Sequence, residues 1–139
     1  MSMADPMNVE VVAADRKVWE GTATNVIVRT TEGDIGILPG HEPMLAALVP
    51  CAAEIVTGEG RRKIVALEGG FLSVAQNKVS LVSQKASLSD EISTEEAQAE
   101  VDRLTKVLDD GDATDEELHR LHLAQAQLKA AAKMKGKQG

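Results

Sequence analysis

An α+β chain, with an N-terminal β-sandwich or barrel followed by a C-terminal antiparallel two-helix hairpin, is the fold this sequence predicts. Three observations predict it. Up to about Leu88 short β-branched runs alternate apolar with polar side chains at the two-residue period of half-buried strands. Gly, Pro and Asn interrupt those runs at hairpin spacing. Beyond Leu88 the apolar spacing lengthens to that of a helix, twice, each time behind a capping sequence. The implied division is a β-domain over residues 1–89 and a helical domain over residues 90–139.

The predicted strands are Val9–Ala14, Thr24–Thr30, Met44–Val49, Ala52–Thr57, Arg62–Leu67, Phe71–Gln76 and Lys78–Ser83. Leu72 and Val74 alternate with Ser73 and Gln76, and Val79 and Leu81 with Lys78 and Ser80, so one face is buried and the other wet. Gly58-Glu59-Gly60, Glu68-Gly69-Gly70 and Gln76-Asn77 supply the reversals between the later strands.

Ser93-Thr94-Glu95-Glu96 is a capping box, with Ile92 and Ala97 placed to staple across it, and Ala97, Val101, Leu104 and Leu108 then recur at helical spacing. Asp109-Asp110-Gly111-Asp112 ends this helix. Thr114-Asp115-Glu116-Glu117 opens a second, whose stripe is Leu118, Leu121, Leu128 and Ala132. So short a connection makes the helices antiparallel neighbours. Acidic residues at both starts, and Lys129, Lys133 and Lys135 near the second end, complement the helix dipoles. The tail GKQG is expected to fray. Burying one large aliphatic side chain contributes about 1.5–3 kcal/mol, whereas ordering the backbone costs about 1–2 kcal/mol per residue. The hairpin therefore depends on docking, against the β-domain or against another protein, and two competing docking surfaces would make it a switch. A permanently packed hairpin is the alternative.

Composition excludes several functions. Aromatics are 1% of the 139 residues, Trp19 and Phe71, so the core is aliphatic and stacking on nucleic-acid bases has no platform. A net charge of -7 repels phosphate backbones, so no nucleic-acid partner is expected. The single cysteine, Cys51, excludes an internal disulfide and fits a reducing compartment. MSMADPMNVE has neither the basic region nor the apolar core of a signal peptide, and no apolar run approaches the roughly 20 residues that span a bilayer. The expectation is a cytoplasmic protein without direct membrane insertion.

No catalytic constellation stands out, and neither a cofactor nor a metal is expected. His41, Glu42 and Cys51 lack a second ligand pair at metal spacing. His119 and His122, with Glu116 one turn earlier, fit solvated helix surface better than a metal site. GEGRRK lacks the Lys-Ser or Lys-Thr of a phosphate loop, and a hairpin turn explains its glycines. The stretch GDIGILPGHEPML, Gly33 to Leu45, is the remaining feature. Gly36, Pro39, Gly40 and Pro43 punctuate it into a rigid loop with His41 and Glu42 at its apex, which serves either as a sheet crossover or as a recognition surface.

The order VEVVAADRKVWEG, EGDIGILPGHEPML, LEGGFLSV and a two-helix tail resembles the epsilon subunit of bacterial F-type ATP synthases over nearly the whole chain. The resemblance implies a β-sandwich and helical hairpin in the central stalk, beside the gamma subunit and on the ring of membrane-embedded c subunits. It implies a peripheral place on the cytoplasmic face of the cell membrane. It implies a non-catalytic role, coupling proton-driven ring rotation to ATP synthesis and restraining ATP hydrolysis. Glu32, Asp34 and His41 match the family's ring-contact loop, stiffened by Gly36, Pro39 and Gly40. The hairpin of such proteins can extend toward the alpha and beta catalytic subunits, and Arg120, Lys129 and Lys133 are the matching basic residues. Some members bind ATP where this chain has Ile92-Ser93-Thr94-Glu95-Glu96-Ala97. Ser93 replaces the expected acid and Glu96 the expected arginine, so weak or absent ATP binding is expected. Two other classes compete: a free-standing binding module with a helical recruitment tail, and a small enzyme using His41 and Glu42 as acid and base.

Overall fold

A computed structural model describes residues 5–57 and 60–136, the last two of these by backbone alone. Gly58 and Glu59 of the expected hairpin turn, the Lys135 side chain and residues 137–139 of the expected frayed tail lie outside the described residues, as do residues 1–4. Among the described residues nine strands precede two helices: β1 (Met7–Val12), β2 (Lys17–Thr30), β3 (Gly33–Ile37), β4 (Met44–Leu48), β5 (Cys51–Thr57), β6 (Arg62–Leu67), β7 (Gly70–Ala75), β8 (Lys78–Val82), β9 (Ala86–Leu88), α1 (Thr94–Asp109) and α2 (Asp115–Gly136). The architecture is a β-sandwich followed by a helical hairpin, as expected.

β2 joins the two layers. Its first half pairs with β1, which continues to β8, β7 and β4; its second half pairs with β3 on one side and with β5, β6 and β9 on the other. A strand of 14 residues can do this because its inward side chains, among them Val18, Ala23, Val26 and Val28, stay buried along most of its length. The core between the layers is aliphatic, with Val9, Val11, Ile37, Ile55, Val65, Leu67, Leu72, Val79 and Leu81 all essentially inaccessible.

The expected strands are all present, and three features differ. β2 begins at Lys17, seven residues before the expected Thr24, because Trp19 and the small residues after it continue the alternation through Gly21. β9 is a further short strand, paired to β6. Gly33–Ile37 is not loop but strand, antiparallel to β2 with Val26 opposite Ile37 and Arg29 opposite Asp34. Its Ile35 and Ile37 face the core while Gly36 lies exposed between them, so the glycine is a strand position and not a loop punctuation. Gln76 and Asn77 turn with φ of 51° and 62°, the left-handed pair that a two-residue hairpin needs.

α2 covers the outer face of β5 and β6, and α1 rests on α2. The docking contact joins Ala126 and Ala130 to Ala52, Ile64 and Ala66, flanked by Ile92 and Met134. The expected stripes are only partly buried: Ala97, Leu104 and Leu121 are inside, but Leu108 is 44% exposed and Ala132 is exposed. α2 meets the sheet with one side and α1 with another, so alanines at Ala124, Ala126 and Ala130 carry burial that a single leucine stripe does not. Both cap positions hold. Ser93 accepts from the Glu96 N–H, and Thr114 and Glu117 exchange both bonds of a capping box.

Gly70 is the tightest backbone position. Its φ is +108°, and an added Cβ would sit 1.9 Å from the Val82 carbonyl oxygen. At Gly111, φ +79°, a Cβ would meet nothing within 4 Å. Gly70→Ala is expected to destabilise by about 2 kcal/mol or more, through strain and overpacking together, and Gly111→Ala by less. Urea unfolding of the two variants checks this; equal midpoints would contradict it.

Candidate functional site

The residues expected in one rigid loop occupy the two ends of β3. At one end, the turn after β2 is held by the Thr30 hydroxyl, which donates to the Gly33 carbonyl at 2.9 Å and accepts from the Glu32 N–H at 3.1 Å. Glu32 is exposed there, with no salt bridge among the described residues. Asp34, by contrast, is paired across the hairpin with Arg29, whose Nε donates to it at 2.8 Å.

At the other end, Gly40 turns with φ +83° and its N–H donates to Asn77 Oδ1 at 3.0 Å. Asn77 in turn donates to the carbonyls of Asp5 and Pro6, tying this turn to the β7–β8 hairpin and to the start of β1. The half-buried His41 places Nδ1 2.7 Å from the Glu42 carbonyl oxygen. His41 and Glu42 therefore flank a braced turn, while Glu32 and Asp34 lie a full strand away, roughly 17 Å at the usual rise of five residues. Among the described residues β3 pairs only with β2, so no other strand lies on its second edge between the two ends.

The basic residues of α2 also separate. Arg120 and Lys129 are nine positions apart, about two and a half turns, which places them on opposite sides of the helix. The Arg120 Nε is buried without a hydrogen-bond partner among the described residues. Lys129 and Lys133 line a cleft of about 320 Å³ with Arg29, Asp34 and the buried Cys51. Burial pushes the Cys51 thiol up, away from a reactive thiolate. Lys133 donates to the Ala52 carbonyl at 2.9 Å and lies 3.6 Å from Glu54.

Two sets of contact residues escaped the reading of the sequence. Glu54 and Arg62 form a largely buried pair at 2.8 Å beside the end of α2; the available sign was a lone carboxylate inside the apolar run CAAEIVT. The second set is a surface. Leu45, Phe71 and Val82, exposed by 74%, 56% and 44%, stand on the adjacent strands β4, β7 and β8, with Phe71 directly opposite Val82 and Ala47. Their alternation with Leu72 and Leu81 was legible, but not that no described residue covers their face.

His119 meets Glu68 of the β6–β7 corner at 3.3 Å, and among the described residues there is no group of three or more His, Cys, Asp or Glu placed to hold a metal ion. The stretch Ile92–Ala97 borders a cleft lined also by Glu91, Glu100 and Gln127. Glu96 adds a third carboxylate to this cleft, beside Glu91, which pairs with Arg16 at 3.4 Å, and Glu100, which pairs with Arg103 at 2.6 Å.

Residues 6–89, more than half of the chain, match the family described as ATP synthase, Delta/Epsilon chain, beta-sandwich domain. The ATP synthase epsilon chain of Cutibacterium acnes is 50% identical, with 96% of each chain covered. That of Streptomyces coelicolor is 44% identical over 94% of this chain and 98% of its own. In fold, the chain is similar to one in the Euglena gracilis mitochondrial ATP synthase structure that includes F1 and the c-ring, with a TM-score of 0.68, 18% identity, and coverage of 100% of this chain and 85% of that one. A chain of the Tetrahymena thermophila mitochondrial central stalk and c-ring gives 0.51 at 14% identity, with 96% and 98% covered.

The Arg29 hydrogen bond, helped by the charges of Arg29 and Lys133 and opposed by desolvation, holds the Asp34 carboxyl below its ordinary value. A carboxyl lowered on folding stabilises the fold above its unfolded pKa and loses that contribution as pH falls through the folded one. Carbon-detected NMR titration should therefore give Asp34 a lower midpoint in the native chain than in Arg29→Gln. Coincident midpoints would show that the pair does not persist in solution.

Proposed function

Because the chain belongs to the ATP synthase epsilon-chain family, we propose that it is a non-catalytic central-stalk subunit of a proton-transporting rotary ATP synthase, coupling ring rotation to ATP synthesis and restraining ATP hydrolysis through its C-terminal helices. Residues 1–89 are the anchor and residues 90–139 the regulatory hairpin. The observation that carries this reading is the narrow, alanine-rich contact by which α2 lies on the sandwich. A buried methyl or methylene contributes about 0.8 kcal/mol, so such a contact orders the hairpin yet leaves it releasable.

The surfaces divide accordingly. The exposed Leu45, Phe71 and Val82 suit an apolar patch on the gamma subunit, since an uncovered apolar cluster of this kind favours burial against a partner. Glu32, Asp34 and His41 contact the ring along the open edge of β3, with Glu32 offering its unpaired carboxylate and Asp34 one already shared with Arg29. Extended, the hairpin presents Lys129 and Lys133 from one side of α2 and Arg120 from the other to acidic segments of the alpha and beta subunits. ATP binding is weak or absent, because Ser93 and Glu96 stand where ATP-binding members of the family carry an acid and an arginine. Among the described residues no helix is long and apolar enough to cross a membrane, which fits a peripheral attachment at the cytoplasmic face through the ring.

ATP hydrolysis by an epsilon-depleted catalytic complex from the same source tests this. Full-length protein should bind and slow hydrolysis several-fold, while protein ending at Ser89 binds without slowing it. Binding by both with no slowing by either would remove the regulatory role, and failure of both to bind a competent complex would remove the stalk assignment.

A further inference from the structure

The ladder between β5 and β2 ends at Glu54 opposite Ile27, and beyond it β5 continues through Ala52 beside the last turns of α2. Four polar contacts converge there. Lys133 Nζ donates to the Ala52 carbonyl at 2.9 Å and approaches Glu54 at 3.6 Å. Arg62 donates to the other Glu54 oxygen at 2.8 Å. The second Arg62 nitrogen donates at 2.9 Å to the main-chain carbonyl of Lys133, in the last described turn of α2. A guanidinium at that position also complements the negative end of the helix dipole. The Glu54 and Arg62 side chains are only 16% and 17% exposed, so solvent screens them weakly, whereas Lys133 at 41% can leave.

We propose that Glu54, Arg62 and the Ala52 carbonyl form a latch that holds the end of α2 on the sandwich, and that the latch occupies Lys133, so that docking and an acidic partner compete for the same ammonium group. This rests on the switching role of the hairpin proposed above. Glu54 is the keystone, because it lies between two cations that would otherwise face each other, Arg62 on the Lys133 carbonyl and Lys133 on the Ala52 carbonyl. Without it, Arg62 and Lys133 repel and α2 loses both its cap and its anchor. Asp34, across the cleft from Lys133 and already bound to Arg29, does not replace Glu54.

Hydrogen exchange on the isolated full-length chain tests the latch without any ATP synthase present, so its outcome is separate from that of the hydrolysis assay. Glu54→Gln and Lys133→Met should each raise amide exchange in residues 124–134 by about fivefold or more, with β1, β7 and β8 unchanged. The double variant should exceed either single one only slightly, as two parts of one interaction do. If Glu54→Gln also loosens β7 and β8, Lys133→Met decides alone. Exchange over residues 124–134 within twofold of the native chain in Lys133→Met, or additive effects in the double variant, would overturn the latch.

Discussion

The approach of α2 to the outer face of β5 and β6 is the contact on which the rest of the arrangement depends. Ala126 and Ala130 face Ala52, Ile64 and Ala66, so four of the five buried side chains in the contact are alanines. Small side chains let helix and sheet come close, lose no rotamer entropy on burial and favour the helix itself. They also bury little area. α1 rests on α2 rather than on the strands, so the hairpin docks chiefly through α2.

Electrostatics adds direction to a contact that apolar burial leaves weak. The chain is acidic overall, yet Arg29, Arg62, Lys129 and Lys133 collect around the end of α2, balanced locally by Asp34 and Glu54. The helix end therefore meets a surface that can cap it and neutralise it at once. At the helix start, Thr114 and Glu117 complete their own box and His119 reaches Glu68. The opposite face of the sandwich, with Leu45, Phe71 and Val82 exposed, has no such cover among the described residues and suits the apolar surface of a partner. One face thus suits anchoring and the other suits switching.

Most of the fold was legible because its elements obey local rules. Strict alternation marked β7 and β8, the Gln76-Asn77 pair marked the turn between them, and two capping sequences marked both helix starts within a residue. β3 was misread because Gly36 and Gly33 suggest a turn, while the deciding fact, pairing to β2 with Ile37 buried, is non-local. The α2 stripe was misread for a similar reason: leucine periodicity assumes one buried face, and α2 has two. The expected site residues were legible only as residue types. That His41 and Asp34 lie at opposite ends of a strand, or that Lys133 is engaged by Glu54 and a strand carbonyl, follows from pairings that no sequence spacing displays.

The most direct measurement is the distance between spin labels at the exposed Gln125 of α2 and the exposed Lys85 before β9, in the isolated full-length chain and in an Ala130→Asp variant; the native thiol, Cys51, is buried. Docking through the alanine contact predicts one narrow, short distance in the native chain and a broad, longer distribution in the variant. A broad distribution in the native chain, or the same narrow peak in both, would contradict it.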